Sequence, residues 1–350
     1  MGMPELIINF KKLGESAKSR SLKGVVALII NDTTVSGAHI YSRVSQITEA
    51  YSASNLALLK MCFNEYGVNK LIVVSKVAED DLANALNLIK TTKLDFLALP
   101  YAVTGDNAKA ISFIEAQRLN NIMSKVVLVN EDADLEYVIN FTSDEIEESG
   151  VDVTPELFTV DLACAFATTP LTQSATYYVF NKVTKVNEKT NKDTATDNGE
   201  VFLINDGDKI KLSRAVTSLK TLTGEKKAAL KKIKIVEGAD LIKSDIYSVF
   251  QDQYVGKVDN NYDNKALLVS DINTYLESMT TQGVLNTDGT NLVKLDLESQ
   301  RDYIEKELGV DTTNMKDIDV LRYPTDSFVF LTGQVTFADS VEDITLNLYY

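Results

Sequence analysis

Histidine, tryptophan and cysteine are nearly missing from this chain of 350 residues, which has one histidine, no tryptophan and two cysteines. A single histidine, His39, argues against multi-histidine metal sites and against most serine–histidine relays, because both depend on imidazole. Cys62 and Cys164 lie far apart in apolar, helix-like surroundings. That setting predicts buried free thiols rather than a disulfide or a reactive thiol.

Long apolar runs are missing as well. The longest, Val25–Ile30, has six residues, whereas a helix that spans a membrane needs roughly 20. Residues 1–12 (MGMPELIINFKK) lack the charged segment followed by an apolar stretch that is typical of a signal peptide. The sequence thus predicts a protein that has no membrane partner and is not secreted by the usual route.

Basic residues are outnumbered, since 35 lysines and arginines face 50 aspartates and glutamates, giving a net charge of −15. Such a surface repels phosphate, so we expect no direct nucleic-acid partner. The segment after the first predicted strand, NDTTVSGAH from Asn31, has neither the glycine pattern of dinucleotide-binding proteins nor a P-loop. The acidic stretches that begin at Asn130 and Asp259 lack the turn glycine and the bidentate glutamate of a calcium loop.

Sequence motifs of enzymes are equally scarce. The nucleophile elbow of the α/β-hydrolases does not occur. A serine–lysine pair stays open, because its members need not be neighbours in the sequence. We expect no enzyme, no metal and no cofactor.

Short β-branched runs alternate with helical periodicity between Gly24 and Asn130. Predicted strands cover residues 25–30, 70–74, 95–99 and 125–129, and predicted helices cover residues 53–66, 80–91 and 107–121. Strands that are apolar throughout and separated by helices indicate a mostly parallel sheet covered on both faces. The fold class expected for this part is α/β.

The pattern changes after Gly150. Residues 155–168 predict an apolar helix, and residues 176–189 and 199–213 predict the two long strands of a hairpin whose polar tip, residues 187–198, is exposed. Further helices are predicted around residues 224–232, 244–251, 265–282 and 299–308, and strands at 327–332 and 334–350. The expected organisation, α+β overall, is an N-terminal arm (1–23), an α/β domain ending in the hairpin (24–205), a mixed α/β core domain (206–333) and a C-terminal arm (334–350).

Both ends of the chain look like strands without a neighbour, which monomeric proteins usually avoid. Residues 1–24 hold five basic and two acidic side chains, a charge of +3, whereas residues 334–350 hold three acidic and no basic ones, a charge of −3. Gly24 and Gly333 mark where the arms are expected to leave the folded body. Pairing between opposite arms is one interpretation, and solvated terminal strands packed on their own domain are the other.

Three motifs in the second half carry a family resemblance: Arg214-Ala-Val-Thr-Ser-Leu219, Ile235-Val-Glu-Gly238 with Asp240-Leu-Ile242, and Tyr254-Val-Gly-Lys257 with Asn260. With the opening PELIINFKKLGESAKSRSLKG and the closing Asp339-Ser-Val-Glu-Asp-Ile344, they resemble contractile tail sheath proteins. The short sheaths of defective prophages and R-type bacteriocins are the most similar members. The resemblance covers residues 1–30 and 160–350 and is weak over residues 31–150.

The resemblance implies a structural subunit that forms six-fold rings stacked helically around an inner tail tube, with baseplate and tail-terminator proteins as further partners. It also implies assembly in the bacterial cytoplasm and a place in a virion tail or a released bacteriocin particle. The alternatives are another self-assembling surface or capsid-like protein and, less favoured, an αβ nucleotide-binding enzyme. The family-motif residues it marks are Arg214, Ser218, Asp240, Gly256, Lys257 and Asn260. Strand pairing between subunits is assigned to Leu6, Ile7, Ile8, Phe10, Lys11, Lys12, Val335, Phe337, Asp339, Glu342, Asp343, Ile344 and Leu346.

Overall fold

The computed structural model describes residues 23–224 and 227–349. Contacts divide these residues into two compact units, a larger one of residues 23–244 with 340–349 and a smaller one of residues 245–339. The domain boundary expected at residue 205 lies inside the larger unit, because residues 213–218 are hydrogen-bonded to residues 135–138, 176 and 202 of that unit.

The elements of the larger unit follow one another in chain order, and the last helix continues into the smaller unit. They are β1 (Val25–Asn31), β2 (Gly37–Tyr41), α1 (Ala53–Asn64), β3 (Lys70–Lys76), α2 (Leu82–Asn87), β4 (Phe96–Ala98), α3 (Asp106–Leu119), β5 (Lys125–Val129), β6 (Val138–Phe141), β7 (Ile146–Glu148), β8 (Val151–Val153), α4 (Pro155–Thr168), β9 (Val183–Lys185), α5 (Lys192–Asp197), β10 (Glu200–Val201), β11 (Leu203–Asn205), β12 (Ile210–Leu212) and α6 (Ile233–Val249).

Seven strands form one sheet in the order β10–β6–β5–β4–β1–β3–β2. All neighbours in this sheet are parallel except β2, which runs antiparallel to β3. The central residues of β1 and β3 are buried in both directions, so helices must cover both faces. Side chains of α1 and α4 join the core on one face, and side chains of α2 and α3 join the core on the other. The predicted α/β fold with a mostly parallel sheet is confirmed.

Local capping explains why several helices begin where the sequence predicts. The Ser52 side chain accepts a hydrogen bond from the Asn55 amide at the start of α1, and Thr154 caps α4 with Pro155 at its first position. Helix α2 is shorter than the predicted 80–91. The amides of Leu88 and Ile89 bond to carbonyls three residues back, which tightens the chain into turns.

The long hairpin expected from residues 176–189 and 199–213 is wrong. Strand β9 pairs with β7, β10 pairs with β6 at the edge of the large sheet, and β11 pairs with β12 across a short turn. The expected exposed tip contains α5, whose Ala195 is buried. Gly199 (φ +73°) turns the chain into β10, and a Cβ there would lie 2.7 Å from the Thr217 carbonyl oxygen, so the position accepts only glycine.

The smaller unit contains the end of α6, a π-helical turn (Phe250–Tyr254), α7 (Tyr262–Thr281), β13 (Leu292–Leu295), α8 (Leu297–Lys306), α9 (Asp317–Arg322) and β14 (Leu331–Gln334). Helices α7 and α8 match the predicted 265–282 and 299–308. The helix predicted around 224–232 is instead a 3₁₀ turn at Ala228–Lys231, and the one predicted around 244–251 is the last part of α6.

The chain after β14 differs from the predicted terminal strand. Strand β14 ends at Gln334, and its partner is β13 in antiparallel register. Gly333 therefore lies inside a strand and not at an exit point, and a Cβ on it would lie 2.7 Å from the Leu292 carbonyl oxygen. Of residues 335–349, only Phe337 takes part in a β-bridge.

Candidate functional site

The predicted N-terminal arm residues Leu6, Ile7, Ile8, Phe10, Lys11 and Lys12 lie outside the described residues, so their role stays a prediction. Where the described chain begins, it is held firmly. The Lys23 ammonium donates to Glu237 Oε2 at 3.0 Å, and the Gly24 amide donates to Asp95 Oδ2 at 2.8 Å. An N-terminal arm would thus leave the body from a fixed point.

The first part of the predicted C-terminal arm, residues 335–338, is bound within the smaller unit. The Asn286 amide donates to the Thr336 carbonyl oxygen at 2.7 Å, Phe337 bridges to Leu285, and the Ala338 amide donates to the Val284 carbonyl oxygen at 3.0 Å. These bonds correct the arm boundary expected at residue 334. Val335 and Phe337 belong to a paired segment of their own unit in the described chain.

Glu342 enters a polar pocket of the larger unit, which we call the Glu342 cradle and which is formed by Ser174, Thr176, Arg214 and Lys232. Its Oε1 accepts hydrogen bonds from the Ser174 and Thr176 hydroxyls at 2.9 and 2.8 Å. Its Oε2 lies 3.5 Å from Arg214 Nη1 and 3.7 Å from Lys232 Nζ. Only 9% of the Glu342 side chain is exposed. Both carboxylate oxygens are therefore satisfied by the same chain.

Asp343 binds the other end of the same arginine, since Arg214 Nη2 donates to Asp343 Oδ1. This charge-assisted bond raises the pKa of Arg214 above its ordinary value. The acidic residues of the arm thus already have basic partners in Arg214 and Lys232. Their pairing with Lys11 and Lys12 stays a prediction, because those lysines lie outside the described residues.

Beyond the cradle, residues 344–349 form no helix or strand and are exposed. Ile344, Leu346 and Leu348 alternate with Thr345, Asn347 and Tyr349, and their side chains are 83%, 71% and 81% exposed. In an extended chain, alternate residues point to the same side, so the three apolar side chains would share one face. This is the pattern of a strand whose partner is absent.

Arg214 begins the motif Arg214–Leu219, whose other members connect four segments of the larger unit. The Ala215 amide donates to the Thr176 hydroxyl, and the Thr217 amide donates to the Lys231 carbonyl oxygen. Ser218 is buried, its amide donates to the Val138 carbonyl oxygen at 2.8 Å and its hydroxyl donates to the Leu135 carbonyl oxygen at 3.0 Å. The motif holds the Glu342 cradle in place through backbone bonds.

Asp240 forms a buried ionic cluster with Arg118 and Lys125. Arg118 Nη1 and Nη2 donate to its two oxygens at 2.9 and 2.7 Å, and Lys125 Nζ donates to Oδ2 at 3.1 Å. The bidentate geometry and the burial of all three side chains indicate a structural role, in which α6 is joined to α3 and β5. No sequence spacing identifies these partners.

The third motif lies after the π-helical turn of the smaller unit. Gly256 has a φ of +69°, and the Lys257 ammonium donates back to the Asp252 carbonyl oxygen. The Asn260 side-chain amide donates to the carbonyl oxygens of Asp326 and Phe328 at 2.8 and 2.9 Å. These residues fix the loop that leads into β14. Their role is again to hold backbone in place.

The carboxyl edge of the large sheet is where a nucleotide would bind, at the crevice between β1 and β4. That crevice is filled by the chain itself, because Tyr101 donates to Asn55 Oδ1 at 2.7 Å and Asn55 donates to Asp32 Oδ2 at 2.8 Å. Burial alone would raise the pKa of Asp32, but hydrogen bonds from Thr34, Asn55 and Ser52 lower it well below its usual range.

An open cavity of about 620 Å³ lies nearby, beside the ends of β4 and β5. Two of its lining residues, Glu131 and Glu156, are acidic and would repel phosphate. Within the described ranges, no cluster of three or more histidine, cysteine or acidic side chains is suited to a metal. Cys62 and Cys164 are buried free thiols, as predicted. None of the described helices is long and apolar enough to cross a membrane.

The polar clusters of the described residues hold backbone in place, and the C-terminal segment presents an unpaired apolar edge. Together these features define a structural, self-associating protein. Residues 225–338 match the model of the phage tail sheath C-terminal domain. The whole chain is 31% identical over 358 residues to the tail sheath protein of Clostridium phage phiCD119, with 99% of each chain covered. The chain belongs to the tail sheath protein family and is a structural subunit of a phage-type tail.

Solved structures agree with the fold. The sheath tail protein Lin1278 of Listeria innocua is similar with a TM-score of 0.69 at 14% identity, covering 95% of this chain and 97% of that chain. The helical sheath of the anti-feeding prophage in its contracted state is similar with a TM-score of 0.67 at 14% identity, covering 94% of each chain.

Proposed function

We propose that this chain forms a contractile sheath of six-fold rings, stacked helically around an inner tail tube, whose contraction drives the tube through the envelope of a target cell. Full-length identity to a tail sheath protein carries the proposal. Its contractile part is supported by the shared fold with a sheath in the contracted state. The subunit acts as a mechanical element and catalyses no reaction.

Assembly takes place in the bacterial cytoplasm, and the finished sheath is part of a virion tail or of a released bacteriocin particle. Further partners are the tube protein, the baseplate and the tail terminator. The net charge of −15 disfavours direct contact with nucleic acid.

Neighbouring subunits are joined by their terminal strands. The two-stranded sheet β13–β14 has unpaired edges among the described residues, and Leu292 on it is half exposed, which suits it as an acceptor. Six backbone hydrogen bonds in a borrowed strand contribute on the order of 6 kcal/mol at about 1 kcal/mol each. Burial of Ile344, Leu346 and Leu348 adds about 1.5–3 kcal/mol for each side chain.

Contraction then rearranges folded bodies while the terminal strands keep neighbours connected. The extended sheath is a kinetically trapped state that a baseplate trigger releases, and the energy comes from interfaces that form during contraction and not from a nucleotide.

Negative-stain electron microscopy of the purified recombinant protein tests the proposal. We expect hollow, cross-striated tubes with six-fold end views. Flat lattices or closed shells would instead indicate another self-assembling surface or capsid-like protein. A rise in melting temperature with added nucleotide would favour the αβ enzyme, and we expect none.

A further inference from the structure

We propose that the Glu342 cradle is an anchor made within one subunit, and that it limits the segment donated to a neighbour to residues 344–350. The inference rests on the proposed function and deepens it, because it states which part of the C-terminal arm reaches another copy and which part stays with its own.

The first support is the number of donors that converge on one carboxylate. Glu342 receives two hydroxyl hydrogen bonds and faces two basic side chains, and these come from three separate stretches around residues 174–176, 214 and 232. Hydrogen bonds that involve ionised groups are roughly twice as strong as neutral ones. With the side chain 9% exposed, little water competes for these bonds.

The second support is that the residues beside Glu342 are held too. Lys234 Nζ donates to the Ser340 hydroxyl at 3.0 Å and to the Thr172 carbonyl oxygen at 3.2 Å, and Asp343 binds Arg214. Val341 in the same stretch is 85% exposed, so the attachment is polar and not an apolar packing contact. Attachment ends at Asp343, where exposure of the alternating apolar residues begins.

The geometric consequence is a short tether. A free arm of residues 334–350 would reach about 56 Å when extended, whereas residues 344–350 reach about 23 Å, at roughly 3.3 Å for each residue. The shorter reach allows a neighbour only within that distance of the cradle, and it fixes the register of the donated strand relative to the body that donates it.

The anchor is tested first in the monomeric protein. Glu342→Gln keeps the shape and removes the charge, and we expect amide hydrogen exchange over residues 340–343 to become at least about tenfold faster, which is about 1.4 kcal/mol. Lys185→Glu reverses an exposed charge whose partner, Glu145, is 3.9 Å away, and it serves as the control that leaves this exchange unchanged. Equal exchange in wild type and Glu342→Gln would overturn the proposal.

Charge reversal in mixed polymers then shows whether the pair forms in one chain or between chains. Arg214→Glu and Glu342→Arg should each reduce tube formation, and the double variant should restore it. A mixture of the two single variants should stay defective, because each chain would still meet its own unfavourable partner. Restored tubes in the mixture, or normal tubes from both single variants, would overturn the intrachain anchor.

These outcomes are separable from failure of the sheath function. If wild-type protein forms no tubes, the sheath proposal fails, while the monomer exchange experiment still decides whether the anchor exists. If wild type forms tubes but Glu342→Gln exchanges normally, the anchor alone fails.

Discussion

Buried charged side chains in the larger unit are matched by partners from distant parts of the same chain. Asp240 binds Arg118 and Lys125, and Asp161 receives hydrogen bonds from Tyr66 and an ion pair from Lys182. Burial raises the pKa of Asp161 above its usual range, although Lys182 opposes that shift. Such clusters restrict which helix packs against which strand, because an unmatched charge would be left away from water.

The Asp240 cluster gives a prediction at this scale. Asp240→Ala leaves Arg118 and Lys125 buried without their carboxylate, so we expect a loss of about 3–5 kcal/mol in the free energy of unfolding. The measurement is a urea titration followed by circular dichroism. Asp132→Ala is the control, because Asp132 pairs with Lys220 at 2.6 Å on an exposed surface, and its removal should cost no more than about 1 kcal/mol. Similar losses in both variants would contradict the structural role of Asp240.

Residue roles were the least predictable part of this protein. The resemblance marks Arg214, Ser218 and Asp240, but the residues that complete their sites, such as Ser174 and Thr176, follow no spacing that the sequence displays. They are brought together by strand order and helix packing, which are not local properties of the chain. The acidic end of the chain signals a need for basic partners, yet it does not say whether they lie in the same subunit.

At the scale of elements, the central strands and their helices were predictable because apolar periodicity and capping residues act locally. The predicted strand 125–129 and helix 155–168 have the same bounds in the structure. The false hairpin has a physical cause: short alternating runs such as residues 199–205 fit any open strand edge. Here the edges of β6 and β12 take the two halves of that run.

The C-terminal segment gives the prediction for an element. Deleting residues 344–350 removes exposed chain, so the melting temperature of the monomer should stay unchanged, since such surface changes are usually within about 0.5 kcal/mol. Tube formation should be lost, because the donated strand is missing. Sedimentation and electron microscopy measure the polymer.

The matched pair of point variants is Leu346→Asp, which should prevent assembly, and Val341→Asp, which should not. Both side chains are exposed, but only Leu346 lies beyond the cradle. Tubes of normal length from the truncated chain would refute the donated strand.

At the scale of the whole molecule, the proposed contraction must pass from one ring to the next through the tethers. Inserting four Gly/Ser residues between Asp343 and Ile344 adds roughly 10–12 Å of flexible reach. Strand pairing is untouched, so tubes should assemble, but one subunit can then move without pulling the next. We expect contraction to stop partway along the sheath after an acid or denaturant trigger.

The measurement is the fraction of fully contracted particles by electron microscopy. The same insertion after Gly224, a position with open space around it, is the control and should contract normally. Complete contraction of the variant with the lengthened tether would mean that the tethers hold the sheath together without transmitting its movement.

The arrangement of bonds in the Glu342 cradle also determines how the sheath responds to mechanical load. Tension on residues 344–350 reaches the body at Asp343 and Glu342, where hydroxyl and basic groups from three stretches hold the chain side by side. Bonds loaded in parallel share a force and break together, whereas bonds loaded in series break one after another. The cradle therefore has a threshold: the tether stays at constant length under moderate pull and gives way abruptly above it, as a shear pin does in a machine.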